Sequence, residues 1–264
     1  MAENLHNDFT ATRLTILVRA GGIDALAIGG DGQQFFAVEV DQAITAPEKT
    51  LEEAVYACPK LLGDFSRIDV IVDTDRFVII PGAISVESNE LESVAARLWP
   101  DAELENIIAE PCSYSTTVAS LYDRSLTGFV GRTFPRAALH NRVCALTDFF
   151  ASLSRPVNKK KLYANFSGTS RLDIIVITAD DLIMANSYPC AETLDAVYYI
   201  MAAVKDSGLD PLDDEVILCG DQARRSDVTD TLRRYLNSVM PLLLPAPENE
   251  MPVELLYYLK DSRS

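Results

Sequence analysis

Short apolar runs separated by glycine-rich joints open the chain. Residues 14–19, 24–29 and 34–40 read as strands, joined by Gly21-Gly22 and by Gly30-Asp31-Gly32. Joints this short between apolar runs predict antiparallel hairpins. A helix is expected over residues 47–62: Pro47 suits its first turn, and Leu51, Ala54, Val55, Cys58, Leu61 and Leu62 recur at helical spacing. Strands at 68–72 and 77–80 follow, then a helix near 87–99 with Leu91, Val94, Ala95 and Leu98 as its stripe. Further strands are expected near 104–109 and 116–122.

The second half repeats this order. Strands are expected at 161–166, 172–178 and 182–186, the first two joined by Ser167-Gly168-Thr169-Ser170 and the last two by Ala179-Asp180-Asp181. A helix follows with Leu194, Val197, Tyr198, Met201 and Val204 along one side, and Asp206-Ser207-Gly208 stops it. Residues 216–219 form a buried strand, and Ser226 is placed to cap a helix that turns Val228, Leu232, Tyr235 and Leu236 inward. The segment 253–259 has no assigned type. Between the halves a helix is expected over 137–153, with Leu139, Val143, Leu146, Phe150 and Leu153 on one side and Pro156 beyond its end. The pattern in each half is β-β-β-α-β-α, and the unalternated runs 70–72 and 174–177 suit mixed sheets covered by helices. The expected division is a first lobe at 1–136, an interlobe helix and linker at 137–155, and a second lobe at 156–264.

Charge and cysteines then exclude function classes. Asp and Glu outnumber Lys and Arg by 39 to 23, a net charge of −16 in 264 residues. Such a chain repels nucleic acid and anionic lipid unless a local basic patch overrides the mean. The first twelve residues carry Glu3, His6 and Asp8 and lack a basic start and apolar core, and no stretch reaches the roughly 18 apolar residues of a membrane span. The expectation is a cytoplasmic protein without membrane insertion. Cys58, Cys112, Cys144, Cys190 and Cys219 form no CxxC pair and read as reduced thiols packed as small hydrophobes. Cys144 lies four residues after His140, half a metal site at most on the expected helix.

The duplicated pattern resembles the actin-like ATPase superfamily, with ribonuclease-H-like lobes. Residues 162–236, with the stretch Gly208-Leu209-Asp210 to Gly220, look like its pilus-assembly and type II secretion members. Over its full length the chain is similar to an uncharacterised bacterial family of degenerate actin-like proteins, a domain of unknown function. The resemblance implies two phosphate-gripping hairpins, each carrying an Asp that holds hydrated Mg²⁺, and a glycine turn at the adenosine. The corresponding positions here are Gly21 and Gly22 in the first hairpin, Asn165, Ser167, Gly168, Thr169 and Ser170 in the second, and Gly220 at the adenosine turn. They form a candidate vestigial nucleotide site. Asn165 stands where the family has Asp, and a neutral amide does not offset a magnesium charge. Phosphoryl transfer depends on that neutralisation, so ATPase or kinase activity is not expected, and ATP or ADP is disfavoured as a cofactor.

Other constellations are weaker. Asp69, Asp73 and Asp75 form a D-x-D cluster at a strand end, where such residues commonly shape a turn, so no metal is assigned. His140 has no G-x-S-x-G elbow to serve. Residues 124–161 hold Arg124, Arg132, Arg136, Arg142, Arg155, Lys159, Lys160 and Lys161 against one acid, Asp148. This run reads first as a set of partners for acids of the same chain and second as a docking face for an anionic ligand or acidic protein, and without an aromatic platform it does not read as a nucleic-acid site. The sequence therefore points to a non-catalytic actin-like scaffold or binding module, then to a nucleotide-binding switch with little turnover, and last to a metal-dependent enzyme using Asp73 and Asp75.

Overall fold

Strand β1 (Ala11–Arg19) turns through Ala20-Gly21 into β2 (Gly22–Gly29), which returns as β3 (Gly32–Glu39) in the computed structural model. The structure describes residues 11–30, 32–74, 76–82, 95–100, 106–153, 159–168, 170–246 and 248–261. Both ladders are antiparallel, Arg19 lying opposite Gly22 and Gly29 opposite Gly32. A Cβ on Gly22 would lie 2.4 Å from the Val38 carbonyl oxygen, so strand packing alone demands glycine there. Helix α1 (Pro47–Ala57) starts on Pro47 as expected but ends before residue 62. Pro59 has no N–H to continue the ladder, and the chain tightens into a 3-10 turn over Pro59–Leu62.

β4 (Arg67–Val72) joins β1 in parallel. A separate three-stranded sheet follows, made of β5 (Phe77–Ile80), β6 (Ile107–Cys112) and β7 (Thr116–Leu121) in the order β5-β7-β6. Of the helix expected over 87–99, residues 95–98 are helical, while Leu91 and Val94 lie outside the described residues, as do residues 104 and 105. Helix α2 (Arg124–Thr133) and strand β8 (Ala137–Asn141) come next, and neither was anticipated from the sequence. β8 lies parallel to β4, and α3 (Arg142–Leu153) begins only after it. The helix expected from residue 137 therefore starts five residues late. Asn141 sets the start, because its buried Oδ1 accepts the Val143 N–H at 2.8 Å in the manner of a helix cap.

The second half comprises β9 (Lys161–Ser167), β10 (Arg171–Ile177), β11 (Leu182–Pro189), α4 (Thr193–Asp206), β12 (Glu215–Gly220), α5 (Gln222–Leu232), β13 (Val239–Pro241) and α6 (Val253–Asp261). Its sheet order, β11-β10-β9-β12-β13, repeats the order β3-β2-β1-β4-β8 of the first half. The sense of pairing repeats too, antiparallel on one side of β1 and β9 and parallel on the other. The fold is thus a duplicated α/β unit with mixed sheets. α5 starts four residues before Ser226, because the Asp221 carboxylate caps it by accepting the Arg224 N–H at 2.8 Å. Tyr235 lies past its end and is exposed.

The described residues form two compact units: those up to Pro111 with Thr117–Ala145 and from Tyr257 onward, and Cys112–Thr116 with Leu146–Leu256. In the first, Leu14, Ile16, Val18, Ile23 and Val70 are buried under Leu51, Leu126 and Phe134. In the second, Leu162, Ala164, Ile174, Val176 and Leu218 lie beneath Ala196, Ile200, Ala203 and Val228.

Candidate functional site

Gly168 lies at the turn between β9 and β10, at the end of the second unit's sheet where α4 and α5 begin. A cleft of about 260 Å³ opens there, lined by Phe166, Gly168, Thr193, Asp221, Arg224 and Asp227 among others. Carbonyl oxygens of the turn and of the strand ends beside it face an arginine of α5. The Arg224 guanidinium donates to the carbonyls of Gly168 (3.1 Å), Arg171 (3.0 Å) and Cys190, and its carbon lies 5.0 Å from the centre of the Phe166 ring. α5 positions it, since Arg224 is the third residue of that helix and Asp221 fixes the helix start. Neighbouring N–H groups are committed as well, Cys190 to the Ser170 carbonyl and Asp221 to that of Phe166.

Gly220 follows from this close packing. A Cβ there would lie 2.2 Å from the Phe166 carbonyl oxygen and 2.9 Å from Asn165 Oδ1, and the residue has φ +78. Asn165 itself is buried within the sheet. Its Nδ2 lies 3.4 Å from Asp173 Oδ2 and 3.4 Å from Glu254 Oε1, two buried carboxylates, and Ser187 donates to Asp173 Oδ1 at 2.6 Å. The structure therefore brings Asn165, Ser167, Gly168 and Gly220 together, with Ser170 closing the turn. Thr169 lies outside the described residues.

Gly21 and Gly22 are in the other unit, at the end of β1. Arg19 dominates that hairpin. Its guanidinium bonds Asp24 at 2.9 Å and also meets Glu39, while the Gly21 carbonyl accepts the Val40 N–H. Burial pushes the Asp24 carboxyl above its usual range, with the Arg19 charge opposing that rise.

A buried charge network that the sequence did not disclose lies on β4, β6 and β8. His140 Nδ1 is 2.7 Å from Glu110 Oε2, and its Nε2 is 3.0 Å from Asp69 Oδ1. Asp69 also pairs with Arg67 at 2.9 Å, and Glu110 Oε1 accepts the Asn141 N–H at 2.6 Å. Burial opposes a charged ring, but the hydrogen bonds to Asp69 and Glu110 outweigh it and push the His140 pKa up to about 9. With both nitrogens held by carboxylates, the ring has no free nitrogen to act as a general base. Asp69 is thus an ion-pair partner, Asp73 faces Arg142 at 3.2 Å, and Asp75 lies outside the described residues. The nearest sequence signal for this network was the Asp cluster itself, but its partners are 71 and 30 residues apart along the chain.

Comparison with known proteins now identifies the family. A family model described as "Protein of unknown function (DUF3822)" matches residues 6–239. The chain belongs to this family. A search of curated proteins finds no match. Among solved structures, this DUF3822 member is similar to a Bacteroides thetaiotaomicron protein with actin-like ATPase fold and unknown function, at 20% identity and TM-score 0.83, covering 94% of this chain and 95% of the other. It is also similar to the PilM–PilN type IV pilus biogenesis complex, at 12% identity and TM-score 0.55, covering 94% and 96%. The cytoplasmic domain of EpsL, an inner-membrane component of the Vibrio cholerae type II secretion system, aligns at 12% identity and TM-score 0.49, covering 96% and 95%. The fold of this DUF3822 chain is therefore the actin-like ATPase fold.

The remaining sequence candidates are dispersed. Lys159 pairs with Asp213 at 2.8 Å, Lys161 lies 3.5 Å from Glu215, and Lys160 Nζ donates to the carbonyls of Ser207 and Gly208 at the end of α4. These three lysines are engaged by the family member's own chain, as the intrachain reading of the basic run expects. Arg155 lies outside the described residues, as does His6. The expected helical pairing of His140 with Cys144 is corrected too: His140 is on β8 and Cys144 on α3, where its thiol faces the Pro111 carbonyl at 3.6 Å. All five cysteines are free, and burial pushes the Cys219 and Cys190 thiols up, away from thiolate chemistry. Among the described residues no helix is long and apolar enough to cross a membrane.

Proposed function

We propose that this actin-like protein is a non-catalytic scaffold or binding module whose partner is another protein. The observation that carries the reading is the engagement of the β9–β10 turn by Arg224. A phosphate cradle needs N–H groups facing the ligand. Here the Gly168 carbonyl, with those of Arg171 and Cys190, is taken by the molecule's own Arg224. Beneath the turn, Asn165 Nδ2 faces Asp173 and Glu254 at 3.4 Å each, and the position where the resemblance expects a metal-facing carboxylate holds this neutral amide. These residues do not fit a magnesium nucleoside triphosphate, and ATP and ADP are not proposed as cofactors. The fold shared with PilM, solved with PilN, supports a protein partner.

A nucleotide-binding switch is the second reading, favoured by the cleft beside Phe166. Three carboxylates, Glu192, Asp221 and Asp227, line that cleft against the single guanidinium of Arg224, which disfavours a polyphosphate. Titration calorimetry with Mg²⁺-ATP and Mg²⁺-ADP, paired with an assay for released phosphate, separates the two. The scaffold reading expects neither heat nor phosphate. Saturable binding without turnover would replace it with the switch, and turnover would overturn both.

A further inference from the structure

We infer that the solvent face of α2 is the docking surface for an acidic segment of a partner protein. The inference rests on the binding-module reading and names the partner's chemistry. The basic run of the sequence divides in two once folded. Arg142, Lys159, Lys160 and Lys161 are engaged within the chain by Asp73, Asp213, two carbonyls and Glu215. Arg124, Arg132 and Arg136 are exposed, and no carboxylate among the described residues pairs with them. Asp123 is the one acid between Tyr122 and Thr147 in the sequence. In a chain of net charge −16, such a face selects for an anionic partner.

The helix geometry sharpens this. Arg124, Gly128 and Arg132 follow one another at intervals of four, so they share the face opposite buried Leu126 and Val130. Glycine is a poor helix former, yet α2 carries two. A Cβ on Gly131 would meet nothing within 4 Å, and one on Gly128 would meet only the mobile end of Arg132, at 3.2 Å. The chain's own packing thus requires neither glycine. Their effect is a floor with no side chain of its own between Arg124 and Arg132, whose Cα atoms lie about 12 Å apart along the helix, with the Arg132 guanidinium reaching back toward Gly128. A partner backbone can approach that floor while its carboxylates take paired hydrogen bonds from the arginines. A short acidic peptide fits this span, whereas a long nucleic acid would run onto the acidic remainder of the surface.

The test is fluorescence anisotropy with a fluorescein-labelled octaglutamate peptide at 50 and 200 mM NaCl. Wild-type protein is expected to bind, with affinity falling about ten-fold at the higher salt. The combined change Arg124→Glu, Arg132→Glu and Arg136→Glu should abolish binding at an unchanged melting temperature. Lys159→Gln should leave binding as it was. Gly131→Leu, a substitution with room for its Cβ, should weaken binding without lowering the melting temperature, and it decides the matter if the triple variant does not fold. No binding by wild type, equal loss in Lys159→Gln, or tighter binding of a twenty-residue oligothymidine on the same face would each overturn the inference. Mg²⁺-ATP is titrated into the same wild-type sample. Nucleotide binding there counts against the binding-module reading, while a silent peptide with a silent nucleotide removes the α2 surface alone.

Discussion

At His140 an imidazolium sits between two buried carboxylates, and its charge is what makes the cluster tolerable. An unfolded histidine titrates near 6.5, whereas this one titrates at about 9. The stabilisation is therefore fully present below about pH 6.5 and is lost as the pH rises through 9. Denaturant unfolding at pH 6, 7.5 and 9 should show stability falling across that window. His140→Gln should cost about 3 kcal/mol at pH 6, because it leaves Asp69 and Glu110 without their shared cation, and should flatten the slope. A parallel slope in the variant would contradict this assignment. Asn165 presents the reverse case. Asn165→Asp, which introduces the residue that the actin-like resemblance implies there, adds a third buried carboxylate beside Asp173 and Glu254 and should cost on the order of 3 kcal/mol. Thermal unfolding of the variant with Mg²⁺ should show no recovery; full rescue by Mg²⁺ would mean the site still holds a metal. The identity of Asn165 was legible in the sequence. Its neighbours were not, because Glu254 lies 89 residues away on a segment of no assigned type.

Among the elements, hairpins were the most legible, since a two-residue glycine joint leaves a strand pair little choice. β8 was not. Its residues, Ala-Ala-Leu-His-Asn, have no β-branched member and continue the helical periodicity of α3, so pairing with β4 overrides local propensity. Asn141 enforces the break: its N–H goes to Glu110, its Nδ2 to Ser120 at 2.9 Å and its Oδ1 to Val143. Asn141→Ala should therefore cost about 2 kcal/mol, measured by denaturant unfolding, through loss of the cap and of a buried partner for Ser120. A change within a few tenths of a kcal/mol would show that β8 alone fixes the helix start. α4 misled differently. Of the stripe expected along one side, Val204 is buried and Val197 and Met201 pack against the core, but Leu194 and Tyr198 are exposed, and Ala196, Ile200 and Ala203 complete the inner face. Small residues let the helix lie close on the sheet, which a count of hydrophobic positions does not register.

On the scale of the whole molecule, duplication of one sheet order in both halves is the feature most nearly written in the sequence, because segment order and turn spacing encode it directly. What the sequence understated is how completely the turns are occupied by the chain's own arginines: Arg19 at the first hairpin and Arg224 at the second. Neither was a candidate, since an arginine's target depends on which strands and helices the fold brings beside it. The central claim is that the second turn is closed to nucleotide from within. Thermal unfolding of the wild-type protein with and without millimolar Mg²⁺-ATP tests it directly. A ligand at about 100 times its dissociation constant adds roughly 2.7 kcal/mol, which at about 2–4 °C per kcal/mol is readily seen for a chain near this size. The account predicts no shift; a clear Mg²⁺-dependent rise in melting temperature would contradict it.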